Sequence, residues 1–140
     1  MANASTTLAR SSNFRGLARD IFQTLTILSD DADGSVDSQD LIGLDDCVGT
    51  ELEFIPDSVA TPSGTVEVRI EDADGNPVYL SGSIDATVYS RSMMVSYTGN
   101  YPKIDGTVTV KLVAPSDHTS DCSIGNAKEC QVKIRFEKKS

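Results

Sequence analysis

The segment Ser29-Asp30-Asp31-Ala32-Asp33-Gly34-Ser35-Val36-Asp37-Ser38-Gln39-Asp40 holds the densest run of oxygen ligands in the chain. Its carboxylates alternate around Gly34, a residue that turns sharply without steric cost. Calcium takes about six to eight oxygens, and carboxylates spaced along a tight loop supply them. Asp31, Asp33, Asp37 and Asp40 are therefore the candidate metal ligands. An acid run also suits a plain solvated turn, and the residues leave both readings open.

With Gly34 as the turn glycine, Asp31 and Asp33 take loop positions three and five, Asp37 nine and Asp40 twelve. In that register the segment resembles an EF-hand loop, and the Asp at position twelve is similar to the dockerin variant. The resemblance implies calcium as a cofactor and a calcium-dependent binding or adhesion module as the function. It covers residues 29–40 and departs at both ends. Ser29 stands where the first Asp belongs, and position twelve lacks the bidentate Glu. Dockerins also carry a second copy of the motif. The nearest candidate, Asp72-Ala73-Asp74-Gly75-Asn76, runs into Pro77 and suits a hairpin turn instead.

Other reactive groups are sparse. The single histidine, His118, lies in the polar run Pro115–Asp121 with no nucleophile motif for it to serve, and reads as a solvated loop residue. There is no phosphate-cradling glycine loop and no HExxH, so the chain reads as a non-enzyme. Cys47, Cys122 and Cys130 form an odd set without a CxxC pair, which argues against zinc. Seven residues separate Cys122 from Cys130, close enough for a disulfide in an oxidising compartment, with free thiols the default.

Charge divides the chain unevenly. Residues 1–28 carry Arg10, Arg15 and Arg19 against Asp20, while residues 29–62 carry ten acids and no base. The total is −9, which repels a polyanion and argues against nucleic-acid binding. Apolar runs are only a few residues long, far below the roughly 20 that cross a bilayer. Met1–Arg19 lacks the apolar stretch of a secretion signal, although its Arg content leaves a mitochondrial presequence open.

Hydrophobic periodicity predicts the elements that must position these groups. Phe14, Leu17, Ala18, Ile21, Phe22, Leu25 and Leu28 recur at intervals of three and four, predicting an amphipathic helix capped by Ser12 or Asn13. Thr24 and Thr26 are weak helix formers, so the helix can end early and continue as a strand over 24–28. Beyond Glu51 the period becomes two, at Leu52/Phe54, Val66/Val68/Ile70, Ile84/Ala86/Val88, Met93/Val95/Tyr97, Val108/Val110/Leu112 and Val132/Ile134/Phe136. Turn residues separate these series, and no connection houses a crossover helix. The expectation is a mostly β chain: an immunoglobulin-like antiparallel β-sandwich over 51–140, an acidic linker over 29–50, and an N-terminal arm with a helix over 1–28. The expected core is Val66, Val68, Ile70, Ile84, Val88, Val95, Val108, Val110, Leu112, Val132, Ile134 and Phe136.

The polar arm Ala2–Ser12, the amphipathic stretch Phe14–Leu28 and the alternating region Glu51–Glu137 together resemble the accessory structural proteins of bacteriophage virions. These are capsid decoration (cement) and head–tail proteins. The resemblance implies a non-enzymatic virion component, made in the host cytoplasm, that joins other virion proteins or copies of itself on a lattice. Its expected interface is the helical face Phe14, Leu17, Ile21, Phe22 and Leu25. An arm ordered across a neighbour, repeated over a symmetric lattice, multiplies a modest affinity.

Overall fold

The computed structural model describes residues 3–15, 18–95 and 100–139. It is all-β and comprises two antiparallel sheets. The strands are β1 (Ser5–Arg15), β2 (Ala18–Leu28), β3 (Gln39–Leu41), β4 (Cys47–Pro56), β5 (Thr65–Glu71) and β6 (Pro77–Leu80), then β7 (Ile84–Asp85), β8 (Ser90–Met93), β9 (Lys103–Ile104), β10 (Val108–Val113) and β11 (Glu129–Lys139). The larger sheet runs β1-β2-β11-β4, with β8 and β9 sharing the far side of β4. The smaller runs β3-β10-β5, with β6 and β7 sharing the far side of β5.

The amphipathic helix expected from Phe14 onward is not formed. Residues 18–28 are β2, locked between two partners along its length, from Ala18↔Lys139 to Leu28↔Glu129 on one side and Arg15↔Ala18 to Ser5↔Leu28 on the other. Ile21, Gln23, Leu25 and Ile27 point inward and are buried. Phe22, Thr24, Thr26 and Leu28 take the other face, half-buried. The apolar set satisfies both periods, because a polar Gln23 interrupts the inward row and an apolar Phe22 sits on the outward one. Two extended partners settle the choice, since an isolated helix of this length is marginal in water and β-branched residues disfavour it.

One hydrophobic cluster draws on both sheets: Ile21, Leu25, Leu52, Phe54, Val132, Ile134 and Phe136 from the larger, Leu41, Val66, Val68, Ile70, Val108, Val110 and Leu112 from the smaller. Two members of the expected core lie elsewhere. Val95, past the end of β8, is 43% exposed, and Val88 is 52% exposed because the strand beginning at Ile84 stops after Asp85. There the Asp85 side chain accepts bonds from the backbone and hydroxyl of Thr87 and turns the chain away. Tyr97, from the series that predicted the next strand, lies outside the described residues, and that strand is Ser90–Met93 instead.

Because Ile134 is fully buried on the strand that joins β2 to β4, Ile134→Ala should lower unfolding free energy by about 2–5 kcal/mol. Urea denaturation monitored by circular dichroism measures this. A loss under half a kilocalorie would contradict its placement.

Candidate functional site

The acidic loop does adopt the turn its glycine suggested. Gly34 has φ +72°, its N–H donates to Asp30 O, and Asp30 N–H donates to Ser35 O. The loop packs on residues 123–127: Ser123 Oγ donates to Asp33 O (3.1 Å), Asn126 Nδ2 to Ala32 O (3.3 Å) and Ala127 N–H to Asp30 O (3.2 Å). A Cβ on Gly34 would fall 2.9 Å from the Gly125 backbone, so both the dihedral and the space require glycine.

The four expected ligands do not converge. Asp33 Oδ1 caps its own turn by accepting from Ser35 N–H (3.0 Å), and that bond holds its carboxyl below the usual range. Asp37 is exposed, and its backbone carbonyl accepts from Thr6 Oγ1. Asp40 lies on β3 and accepts from Thr109 Oγ1 across the sheet at 2.7 Å. Asp31 is half-buried on the turn. Among the described residues, no three acid, histidine or cysteine groups are placed to share a cation. Asp33 serves the turn and Asp40 the strand pairing.

The expected interface face is likewise dispersed. Ile21 and Leu25 are core residues. Phe22 stands on the opposite face of the sheet with the Lys133 ammonium 5.0 Å from its ring centre. The Leu17 position and the Phe14 side chain lie outside the described residues.

Cys47, Cys122 and Cys130 are free thiols, so the Cys122–Cys130 disulfide is not present. Cys130 faces the core on β11, and burial pushes its thiol up to about 12. Burial likewise pushes Cys122 up to about 11.

What the spacing of the sequence concealed is a charged cluster on the face of β5 turned away from the shared core. Val66, Val68 and Ile70 take the core side, so Glu67, Arg69 and Glu71 take the other. Glu67 and Arg69 are nevertheless buried, at 1% and 7% exposure, because the 114–120 loop and the 72–76 turn fold over them. Glu67 accepts from Gly82 N–H (2.9 Å) and meets His118 Nδ1 at 2.5 Å. Arg69 spreads its guanidinium over three partners: Glu71 Oε2 (2.9 Å), His118 O (3.2 Å) and Gly75 O (2.9 Å). Lys111, opposite Arg69 on β10, closes the set on Glu71 at 2.8 Å.

The loop is built to deliver His118. Ala114 N–H donates to Ser120 O and His118 N–H to Ala114 O. Asp117 caps the turn through Thr119 N–H, Ser120 N–H and the Ser120 hydroxyl, which draw its carboxyl down to about 2. His118 itself sits at φ +65°, a conformation costly for a residue with a Cβ. Its side chain is half exposed while its carboxylate partner is not. Chemically, a buried carboxylate fixes an imidazole's orientation through Nδ1. The depressions lined by Val36, Asp37, Ser38, Lys111, Leu112 and Asp121 (310 Å³) and by Ile55–Ser58 with Glu129–Gln131 (320 Å³) do not include His118. The cluster clamps two loops to the sheet. Alternation at 66–71 could have flagged it, since three charges on one strand face need partners when buried.

The chain matches no family model and no curated protein. No helix among the described residues is long and apolar enough to cross a membrane, which says nothing of a β-barrel.

The Lys111 ammonium and the Arg69 guanidinium hold the Glu71 carboxyl below the usual glutamate range. A depressed folded value stabilises above the unfolded one and is lost as pH falls through it. Glu71→Gln should thus cost about 1–3 kcal/mol at neutral pH. The gap to the unmutated protein should close as pH drops below 4.5, and a pH-independent gap would remove the ion pair as its cause. The thiols give a second expectation. At about pH 8 Cys122 and Cys130 are thiolate to only about one part in 1,000 and 10,000. Iodoacetamide should label them in denaturant and spare them in the native protein, by intact mass.

Proposed function

We propose that the chain is a non-enzymatic structural protein of a bacteriophage virion, a capsid decoration (cement) or head–tail component, attached through its N-terminal hairpin. In this reading the two sheets stack as an immunoglobulin-like β-sandwich, a rigid body suited to presentation on a lattice. The shared hydrophobic cluster favours that stacking. So does Tyr79 of β6, packed against that cluster.

One observation carries the role. β1 is an ordered strand of eleven residues, yet Thr7–Ser12 are all exposed, while β2 beside it supplies Ile21, Leu25 and Ile27 to the core. Over Thr7–Ser12 the strand brings the chain little burial of its own. It presents a polar, arginine-bearing edge on an otherwise acidic protein. The attachment element is thus a strand where the sequence suggested a helix, and the arm logic is kept: a short segment, ordered along the body, offered to a neighbour. Calcium-dependent binding has less support, since two of the carboxylates it needs, those of Asp33 and Asp40, are already bonded within the turn and to β10.

Removing residues 1–15 should leave a cooperatively melting protein, because β2 keeps its eleven-residue pairing with β11. The shortened protein should be missing from particles purified from producing cells, as judged by mass spectrometry, where the full chain is present. Particles that lack the full chain, or that take up the shortened one equally, would overturn the proposal.

A further inference from the structure

We infer that β1 joins two copies of this chain, its free edge pairing antiparallel with β1 of the second copy about a two-fold axis at Ala9. The inference rests on the assembly reading for its purpose and on backbone accounting for its geometry.

A strand pairs on both sides or leaves alternate N–H and C=O groups unpartnered. β1 pairs with β2 from Ser5↔Leu28 to Arg15↔Ala18. Among the described residues, no backbone hydrogen bond from 5–15 goes to any other segment. The other edges of the two sheets are guarded. β3 has three residues, and β8 and β9 have four and two. β6 opens with Pro77 opposite a register shift at Ile70/Glu71, and β7 has two residues. Short edge strands, proline and bulges are the devices that stop sheets from adding strands. β1 has none of them. It is eleven residues long, its register against β2 is unbroken, and it contains no proline, lysine or acid. Arg10, the charge at its centre, is turned aside to Ile42 O and Gly43 O, each at 3.2 Å. Among the described residues, β1 is the longest edge and the one that shortness, proline or a bulge does not interrupt.

The sequence of β1 selects its own copy as occupant. Antiparallel identical strands with Ala9 on the axis place Leu8 against Arg10, Thr7 against Ser11, Thr6 against Ser12 and Ser5 against Asn13. Every pair is small and polar or apolar against an aliphatic stem, and no like charges meet. Leu8, 38% exposed in the single chain, would lie beside the partner's Arg10 stem. Moving the axis to Arg10 opposes two guanidinium groups, and moving it to Leu8 shortens the pairing to residues 5–11. The closed two-fold leaves no edge of this length free, so association stops at two.

Sedimentation of the full chain should show a dimer. Ala9→Glu and Ala9→Lys each place two like charges on the axis and should weaken dimerisation by about tenfold or more. An equimolar mixture of the two should recover it. Val59→Glu, at an unrelated position 91% exposed, should leave the dimer unchanged. Should either charged variant fail to melt cooperatively, Ala9→Cys should form a reducible dimer under oxidation. A monomer at every concentration reached, or charged variants that still pair, would overturn the inference, as would a mixture that stays monomeric. Particle incorporation is read separately: a dimer absent from particles removes the virion role and leaves this interface standing.

Discussion

Strand β11 is held on both sides for nearly its whole length, by β2 from Ala18 to Leu28 and by β4 from Cys47 to Pro56. It places β2 and β4 directly, and β1 through β2. The last residues of the chain thereby fix the first ones, and contacts of such sequence separation give the fold its cooperativity and make it slow to assemble. Val132, Ile134 and Phe136 bring three fully buried side chains to that junction. A register shift between Arg135 and Phe136 against β4 lets the strand keep both neighbours while it twists. Outward, Arg135 reaches the buried Asp20 carboxylate with both oxygens at 3.2 Å, tying β11 to β2 a second time.

The smaller sheet is organised differently. Its inner face packs on the same apolar cluster, but its outer face is closed by charge. Arg69 is the hub, because one planar guanidinium can bond a carboxylate and two backbone carbonyls at once, a task lysine cannot perform. Burying Glu67 and Arg69 is tolerable only with their bonds satisfied. The turn at 72–76 and the loop at 114–120 supply the partners, and in return lose their freedom. The strained backbone of His118 belongs to the same arrangement.

Edges complete the picture. A protein of two open sheets has edges to manage, and this one uses shortness, a proline and register breaks at all but one. The acids concentrate at 29–62, while β1 contains none.

Much of this was legible in the residues alone. Period-two alternation marked β4, β5, β10 and β11, since a strand with one dry face has no other way to be written. Gly34 and the Asp72–Asn76 segment marked their turns, because positive φ and side-chain caps are local properties. The identity of 18–28 was legible only in part: the strand offered for 24–28 is the second half of β2, but residues 18–23 were read as helix. Ile21, Leu25 and Leu28 fit a helix as well as a strand, and only pairing with β1 and β11, distant or masked in sequence by Gln23 and Phe22, decides between them. The carboxylates of 29–40 show the same division. Their types permit a cation site, but whether they converge depends on where residues 123–127 and Thr109 stand, and that is set by the fold. Residues whose geometry depends on near neighbours declare it in the sequence; those whose geometry depends on a partner about a hundred positions away, as Ser29 does on Lys128, acquire it only in the tertiary structure.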